Sequence, residues 1–510
     1  MQPLVIGIDL STTTCKAIAW DPRGKLIAQA RAPLAMSRPQ ANAYEQDPED
    51  WWRAAQAALR AVCQQIDPDA VQAVAIVNQR ETVAVTDADD RLLRPAFLWL
   101  DERRKSEVDS LSAVLGDEAL HGLTGKPHDW APAIYSLAWM ARNEPHLFAQ
   151  ARHVYDPHAW LVRQLSGEFA TSWASADPFG AFDLDRHEWA EAVLQALPTA
   201  LPAQCFATAH APGSVLGRIS VEAAALTGLP AGIALVAGGG DGQAGGLGIG
   251  VVRPGLAYLN MGTAIVSGVY AETVQTSQAF RTMCAVGAEG YILETSLRAG
   301  TLLVNSLLRQ FFDIDVAATP ERLLELESLA AQVPPGSQGL LLLPYWNGVM
   351  NPYWDAHARG CLLGLSPDHG RGEIYRALLE GIALEQAVAT RAVIAATGQP
   401  VDAFIAIGGG ASSRLWCQIM ADITDRPVIR AITQEASSLG AGIAAAVGAG
   451  WYHSFAAAAE AMTQGGETFE PNPQLRAFHQ ELLGLYADLY PRLRDLYPRL
   501  ARLAASLGQP

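Results

Sequence analysis

The sequence has few cysteines and no long uninterrupted apolar run. Its six cysteines among 510 residues stand singly, without a CxxC pair or a framework spacing, which excludes a disulfide scaffold and favours buried thiols in a reducing compartment. The most apolar window, residues 232–252, is broken by Asp241 and Gln243, unlike a bilayer span of about 20 apolar residues. Because the first residues also lack a signal-peptide pattern, we expect a cytoplasmic protein that binds no membrane.

Basic residues are also scarce. Lysine and arginine number 36 against 52 aspartates and glutamates, which gives a net charge of −16, so no basic surplus is available to neutralise the phosphates of a nucleic acid. Charged residues make up only 17% of the chain and hydrophobic residues 50%, a balance typical of a folded protein rather than a disordered one. At roughly 150 residues per domain, this length predicts two or three domains.

The beginning of the chain predicts three short strands in succession. Residues 4–9 form an apolar run that ends in Asp9, and a hydroxyl-rich turn separates it from two further strand patterns at 17–21 and 25–28. A dinucleotide-binding domain would instead pass from its first strand through a glycine turn into a helix. We therefore expect an antiparallel entry into an α/β domain.

Later segments repeat this theme between helical patterns. Strands are predicted at 71–77, 82–86 and 404–407, and a helix begins at Asp47-Pro48 with a capping side chain and a proline in its first turn. Residues 256–267 again form strand, small-residue turn and strand, which suggests two similar domains. Residues 438–447 predict a buried helix of small side chains, and the tail predicts an amphipathic helix interrupted by Pro491 and Pro498.

Three turns rich in glycine or hydroxyl groups follow strands, and exposed backbone N–H groups in such turns bind phosphate oxygens. The chain contains no Walker P-loop, HExxH or GxSxG motif, which disfavours zinc hydrolases and α/β-hydrolases. Residues 240–245 match GxGxxG, but no acid lies between Asp241 and Glu272 to bind a ribose, so the dinucleotide interpretation is weak.

Asp9 and Asp241 each end an apolar strand beside open backbone. A carboxylate in such a position suits Mg²⁺-linked phosphate chemistry or the role of a base. The alternative is that each residue only caps the element that follows it.

Four segments with these glycines, hydroxyls and acids follow one another along the chain: residues 5–16 with Asp9, residues 238–242 with Asp241, Met261-Gly262-Thr263, and residues 408–411. Their order and spacing resemble the FGGY carbohydrate kinases, a branch of the actin and hexokinase ATPase fold. The resemblance extends over about residues 4–490 and includes further motifs at 44–48, 99–103 and 351–360. It implies an α/β fold of two similar actin/hexokinase-like (ribonuclease H-like) ATPase domains with a cleft between them. The expected parts are a sugar-binding domain at 1–250, a nucleotide-binding domain at 251–490 and a tail at 491–510.

The same resemblance assigns functional residues. It implies ATP-dependent transfer of a phosphoryl group to a terminal hydroxyl of a small sugar or polyol, with Asp241 as the general base and with Mg²⁺ at Asp9 and Asp241. The implied sugar contacts are Arg80, Glu81, Trp99, Asp101, Trp130 and Asp241. The implied ATP contacts are Thr12, Thr13, Lys16, Gly262, Thr263, Gly409, Gly410 and Ala411.

Two positions depart from the family pattern, because Ser11 replaces a glycine of the first turn and Ser136 stands where the family has lysine. The substrate motifs are divided. Residues 78–82 resemble glycerol kinases, whereas residues 238–241, 259–263 and the Trp99-x-Asp101 pair resemble xylulose kinases. We expect D-xylulose as the substrate, with glycerol second and ribulose or erythritol as further alternatives.

Other classes are compatible with parts of the pattern. A non-catalytic ATPase of the same fold would hydrolyse ATP without responding to sugars, and a nicotinamide-dependent dehydrogenase would bind NAD. The low charge and the 13 tryptophans leave room for a buried surface between two copies, so we expect a homodimer.

Overall fold

The computed structural model describes residues 2–287, 290–316 and 318–507. Each half of the chain forms a mixed β-sheet covered by helices. In the described ranges, no helix combines the length and the apolarity needed to cross a membrane. The cleft described below lies between the two sheets.

Within the described residues, the first sheet has six strands in the spatial order β5-β6-β4-β1-β2-β3. These strands are β1 Leu4–Leu10, β2 Thr14–Trp20, β3 Leu26–Pro33, β4 Val71–Asn78, β5 Val215–Arg218 and β6 Ala234–Gly240. β1 and β2 pair antiparallel, as do β2 and β3, which confirms the predicted three-strand entry. β4 and β6 continue the sheet in parallel with β1.

The second sheet has the order β9-β10-β8-β7-β11-β12-β13 among the residues described. Its strands are β7 Gly255–Met261, β8 Ile265–Ala271, β9 Arg281–Cys284, β10 Tyr291–Leu297, β11 Val401–Ile407, β12 Val428–Arg430 and β13 Thr468–Phe469. β7 pairs antiparallel with β8 and parallel with β11. In the first sheet, β1 likewise pairs antiparallel with β2 and parallel with β4. The two sheets therefore share one topology, and the second adds the edge strand β9.

Helices cover both sheets. Those of seven or more residues are α1 Pro48–Cys63, α2 Val108–Leu115, α3 Asp117–Thr124, α4 Ile134–Asn143, α5 Pro157–Ser166, α6 Val221–Thr227, α7 Asp241–Leu247, α8 Thr301–Phe312, α9 Pro320–Gln332, α10 Arg371–Thr397, α11 Arg414–Thr424, α12 Ala436–Gly448, α13 Phe455–Met462, α14 Arg476–Leu493 and α15 Tyr497–Leu507. Shorter helices span Pro145–Phe148, Trp173–Ala176 and Glu191–Gln195. α1 begins as predicted, because the Asp47 side chain accepts a hydrogen bond from the backbone N–H of Glu49.

Short two-stranded ladders lie outside the sheets. They pair Glu45–Gln46 with Ala96–Phe97, Ala84–Thr86 with His153–Tyr155, Ala170–Ser172 with Thr208–His210, Phe182–Asp183 with Glu188–Trp189, and Leu341–Leu343 with Cys361–Leu363. The strand expected at 82–86 is thus shorter and belongs to one of these ladders.

Helix α12 comes from the second half of the chain but packs on the first sheet. Its residues from Ser438 to Ala446 are buried, as the small-residue pattern predicts. It crosses α7 very closely, since a Cβ on Gly440 would lie 2.0 Å from the carbonyl oxygen of Ala244. The glycine is therefore required for the approach of the two helices. This crossing brings the end of β6 and the beginning of α12 to the same place.

The tail differs from the expectation at its prolines. Pro491 lies inside α14 rather than ending it, and Pro498 occupies the first turn of α15, a position that needs no backbone N–H. Tyr497 is buried in the core of the second half, so the beginning of α15 is packed against the body of the protein.

Candidate active site

A cavity of about 440 Å³ lies between the two sheets. Both halves of the chain supply its walls, which include Thr12, Gln79, Arg80, Glu81, Trp99, Arg104, Trp130, Asp241, Tyr258, Asn260, Thr263, Arg281, Arg298 and Met350. A cavity of this size accommodates a small ligand. The structure thus brings together Asp241, Arg80, Glu81, Trp99, Trp130, Thr12 and Thr263, all of which the sequence had singled out.

Asp241 is the first residue of α7, where the chain leaves β6. Its Oδ1 accepts a hydrogen bond from the backbone N–H of Gly242 at 2.8 Å and lies 3.4 Å from Nε of Arg80. Burial in the cleft raises the pKa of Asp241, while Arg80 and the N–H of Gly242 oppose that rise. The side chain keeps 39% of its surface exposed, so its carboxylate is held in place and still accessible to a ligand.

Asp9 lies near the end of β1, opposite Lys16 of β2. Burial raises the pKa of Asp9 to about 7, and the neighbouring charge of Asp241 adds to the rise. Lys16 does not neutralise Asp9 fully, because its Nζ is engaged 2.6 Å from Oε2 of Glu435. The Oδ1 atom of Asp9 is buried without a hydrogen-bond partner. An unpartnered carboxylate oxygen beside a second carboxylate is a suitable ligand pair for a divalent cation.

Within the described part of the chain, no three His, Cys, Asp or Glu side chains converge on one point to form a ready-made metal site. Mg²⁺ commonly uses only one or two carboxylates and takes its other ligands from water and phosphate oxygens. The pair Asp9 and Asp241 therefore fits a cation that a phosphate ligand would help to hold.

A cluster of buried charges forms the floor of the cavity. Arg80 donates from Nη1 to Oε2 of Glu294 at 2.9 Å, and Arg281 lies 2.6 Å from Oε1 of Glu294. Arg281 also reaches Oε1 of Glu81 at 3.1 Å. Each ion pair between residues 80–81 and strands β9 and β10 joins the two halves of the chain.

Glu294 is the centre of this cluster. Its side chain is fully buried, and it accepts a third hydrogen bond from the hydroxyl of Tyr258 at 2.8 Å. Burial alone would raise the pKa of Glu294, but Arg80 and Arg281 outweigh that effect and lower it to about 2. The sequence did not indicate Glu294 or Arg281, because single charged residues inside β10 and β9 have no local pattern that marks them.

Trp99 and Trp130 form walls of the cavity. Nε1 of Trp99 donates to Oγ1 of Thr12 at 2.9 Å. Since the Thr12 hydroxyl accepts that bond, it keeps its own proton to donate to a ligand. The guanidinium of Arg298 lies 5.3 Å from the ring centroid of Trp130, a cation–π distance.

Asp101, one of the expected sugar contacts, lies outside the lining of the cavity. Its fully buried side chain lies 2.6 Å from Nη2 of Arg103 and accepts the backbone N–H of Tyr44 at 2.9 Å. Asp101 and Arg103 therefore brace the loop that presents Trp99. The family resemblance implied a sugar contact for Asp101, whereas in this structure its carboxylate is bound by Arg103 and by the backbone N–H of Tyr44.

Arg104 lines the cavity in place of Asp101, although the sequence did not indicate it. It is fully buried and donates to the carbonyl oxygens of Glu81 and Trp99 at 3.1 and 2.5 Å. Its Nη1 also lies 3.5 Å from Oγ of Ser136, the position where the family pattern has lysine. Burial without a carboxylate partner lowers the pKa of Arg104 to about 10, so it remains charged at neutral pH.

The two phosphate-type turns have equivalent places in the two sheets. The first follows β1, and its Ser11 hydroxyl donates to the carbonyl of Thr14 at 2.9 Å, which closes the turn without a glycine. Thr13 is exposed and does not line the cavity. In the second turn, the carbonyl oxygens of Gly262 and Thr263 accept N–H groups from the start of α8.

The glycine segment after β11 contains three different environments. Gly408 has φ +86°, and a Cβ there would lie 2.7 Å from Oδ1 of Asn260. Gly410 is packed against Trp416, and the side chain of Ala411 is buried. Only Gly409 has open space where a Cβ would be, with nothing within 4 Å. Of the predicted nucleotide contacts in this segment, Gly409 is thus the one whose missing side chain leaves room for a ligand.

A duplicated fold, a cleft at the ends of both first strands and paired carboxylates define a phosphotransferase of the actin and hexokinase type. Two family models match this chain: the N-terminal domain of the FGGY family of carbohydrate kinases at residues 4–248 and the C-terminal domain at 257–449. The chain belongs to the FGGY family of carbohydrate kinases, which confirms the resemblance found in the sequence.

Curated relatives include the xylulose kinase of Escherichia coli K12, 32% identical over 431 residues that cover 82% of this chain and 85% of that protein. The autoinducer-2 kinase of Klebsiella pneumoniae is 27% identical, and the match covers 95% of this chain and 93% of that protein. Among solved structures, the xylulose kinase of Rhodospirillum rubrum is 29% identical with a TM-score of 0.91, covering 97% of this chain and 99% of that one. The gluconate kinase of Lactobacillus acidophilus is 25% identical with a TM-score of 0.91, covering 98% and 100%.

Proposed function

We propose that this chain transfers the γ-phosphoryl group of ATP to a terminal hydroxyl of a short neutral sugar, with D-xylulose as the substrate. The observation that supports this most directly is the position of Asp241. Its carboxylate begins a helix inside the cavity, is oriented by Arg80 and Gly242, and keeps part of its surface accessible. That is the environment of a general base.

In the proposed reaction, Asp241 accepts the proton of the substrate hydroxyl while the hydroxyl oxygen attacks the γ-phosphorus in line. The bond from the γ-phosphorus to the oxygen that bridges it to the β-phosphate breaks, and ADP leaves with that oxygen. Arg80 holds the carboxylate at 3.4 Å from its Nε and so keeps the base in one orientation during the transfer. Because phosphoryl transfer depends mainly on positioning and on electrostatic stabilisation, fixing the acceptor next to its base is the main contribution of this side of the cleft.

Phosphate binding requires local contacts, since the chain carries a net charge of −16 and its overall field repels ATP. The Thr12 hydroxyl and the turn at Gly262 and Thr263 face the cleft from the two halves. Asp9 and Asp241 would hold Mg²⁺, which supplies positive charge between the phosphate oxygens when it is bound. Lys16, held by Glu435, adds a cation behind Asp9.

The charges of the cavity favour a neutral substrate. Among the described residues, the arginines of its lining are Arg80, Arg104, Arg281 and Arg298. They are matched by Glu81 and Asp241 in the lining, by Glu294 beneath it and by Asp129, which lies 3.6 Å from Arg298. Of these arginines, Arg80, Arg281 and Arg298 already have a carboxylate partner and Arg104 is fully buried, so among the described residues no exposed unpaired guanidinium of the lining is available to a sugar acid. A neutral sugar binds there through hydrogen bonds alone.

D-Xylulose is the first candidate because both the sequence motifs and the relatives at 32% identity point to it. Glycerol is the second, since Arg80 and Glu81 occur in a motif that resembles glycerol kinases and both line the cavity. The two candidates differ in length by two carbons, and the rates with each of them separate the two.

The test is the initial rate of ADP formation with D-xylulose, D-ribulose, L-ribulose, glycerol, erythritol and gluconate, each with ATP and Mg²⁺. We expect the highest kcat/KM for D-xylulose and no rate above background for gluconate. Asp241→Asn should keep the fold and lower kcat by about a thousandfold or more. Asp89→Asn, an exposed position outside the cleft, serves as the matched control and should leave the rate unchanged.

Wild-type rates in Asp241→Asn would contradict the role of the base. ATP hydrolysis that is indifferent to every sugar would contradict the kinase and favour a non-catalytic ATPase of this fold. A rate that is highest with glycerol would leave the kinase in place and replace the substrate.

A further inference from the structure

The cavity contains a hydrogen-bond donor, Arg80, and a hydrogen-bond acceptor, Glu81, and each is held in place by an ion pair with a residue of the second half of the chain. Arg80 uses Nη1 on Glu294 and directs Nε to Asp241. Glu81 uses Oε1 on Arg281. Among the residues that the structure describes, Nη2 of Arg80 and Oε2 of Glu81 have no hydrogen-bond partner, and both side chains line the cavity.

The backbone at this point is also constrained. Glu81 has φ +52°, a left-handed conformation that costs a non-glycine residue free energy and persists only where its surroundings hold it. Its carboxylate is fixed by Arg281 and its carbonyl oxygen by Arg104. The neighbours of Glu81 therefore determine where its free oxygen points.

We infer that Arg281 and Glu294 are positioning residues of the sugar site, which hold Arg80 and Glu81 so that one donor and one acceptor face two adjacent hydroxyls. This inference rests on the proposed function. Glu294 acts through both arginines, because a single buried carboxylate accepts from Arg80 on one oxygen and from Arg281 on the other. Removing its charge frees both guanidinium groups at once.

The support is rigid because β9 is tied to the first half of the chain. Nζ of Lys126 donates to the carbonyl of Thr282 at 2.6 Å, and the N–H of Thr282 donates to the carbonyl of Gly125 at 2.9 Å. Arg281 therefore lies on a strand that the first half of the chain, which also contains Glu81, holds in position. A pair oriented before the sugar arrives loses little entropy on binding.

The experiment measures KM for D-xylulose and for ATP separately in wild type, Glu294→Gln and Arg281→Lys. We expect the sugar KM to rise by about tenfold or more in both variants while the KM for ATP stays within about twofold. Arg281→Lys keeps the charge but cannot contact Glu294 and Glu81 together, and it decides the question if Glu294→Gln does not fold. Glu385→Gln, the same change at a buried glutamate outside the cleft, should move neither KM.

A second readout is the ratio of kcat/KM between D-xylulose and D-ribulose, which differ only in the orientation of the C3 hydroxyl relative to its neighbour at C4, a difference that a fixed donor and acceptor distinguish. We expect that ratio to fall in Glu294→Gln and in Arg281→Lys. Unchanged sugar KM values and an unchanged ratio in a folded variant would overturn the inference alone, as would equal rises in both KM values. Absence of sugar turnover in the wild-type chain would overturn the proposed function and this inference with it.

Discussion

Two fully buried glutamates of the second half have opposite electrostatic environments. Glu294, at the cleft, is bound by two arginines and by Tyr258. Glu385, inside α10, has no cationic partner within the described part of the chain and accepts hydrogen bonds from the hydroxyls of Tyr345 and Tyr486 on one oxygen, each at 2.7 Å. Its other oxygen, Oε1, has no partner. The first pKa is lowered to about 2 by the arginines, and the second is raised to about 7 by burial.

The difference shows what each carboxyl group does. Glu294 keeps its charge because two arginines beside the cavity pair with it. Glu385 links α10 to α14 and to the loop after Leu343 through neutral hydroxyl groups, a purely structural contact. Of these two buried glutamates, the one with cationic partners therefore lies at the candidate active site, and the one without them lies in the core of the second half.

The largest expected effect is on stability. Glu294→Gln leaves Arg80 and Arg281 buried without their shared counter-charge, so we expect the free energy of unfolding to fall by about 3–5 kcal/mol. Glu385→Gln should cost about 1 kcal/mol or less at pH 7, because an amide also accepts from both tyrosines. Denaturant titration of the two variants checks this, and equal losses would remove the distinction between the two glutamates.

The two residues should also differ in the sign of their pH dependence. The pKa of Glu385 is raised in the folded state, so its contribution to stability is largest below about pH 4.5 and decreases by about 3 kcal/mol as the pH rises through 7. The pKa of Glu294 is lowered, so its contribution is complete above pH 4.5 and is lost as the pH falls toward 2.

Unfolding free energies of wild type and Glu385→Gln between pH 5 and pH 8 test the first sign. The variant should gain stability relative to wild type as the pH rises over that interval. A constant difference would show that Glu385 is ionised throughout.

A smaller effect, on the KM for the sugar, is expected at Arg104. Its guanidinium binds the backbone carbonyls of Glu81 and Trp99 rather than a carboxylate. Arg104→Lys cannot bind the carbonyls of Glu81 and Trp99 together, so the KM for D-xylulose should rise about three- to tenfold with little change in the KM for ATP. Lys105→Ala, next in sequence and half exposed, is the control. Equal effects in both variants would assign the change to general packing around Trp130.

The smallest expected effect is at Trp99. Trp99→Phe keeps the aromatic wall but removes the N–H that donates to Thr12, and loss of one such bond is worth about 1 kcal/mol. We expect a change of about two- to fivefold in the KM for ATP, since Thr12 faces the phosphate side. A change confined to the sugar KM would assign the effect to the smaller aromatic wall rather than to the lost bond to Thr12.

Much of the architecture could be predicted because it depends on local patterns. The apolar strand ending in Asp9, the glycine-rich strand before Asp241 and the small-residue helix near Gly440 are all apparent in the order of residues. The orientation of Asp101 toward Arg103 could not be predicted, because a sequence motif does not determine which way each of its side chains points. Arg104, one residue beyond the motif at 99–103, was missed for the same reason.

The sequence by itself predicted that two similar α/β halves meet near residue 250 and, through the family resemblance, that Asp9, Asp241, Arg80 and Glu81 belong to the active site. Only the tertiary structure decided that Arg281 and Glu294 support this pair, that α12 packs on the sheet of the other half, and that Asp101 faces away. Strand and helix patterns repeat over a few residues, so they can be recognised locally. An ion pair between residues 214 positions apart depends on how the two sheets are placed, and no short segment contains that information.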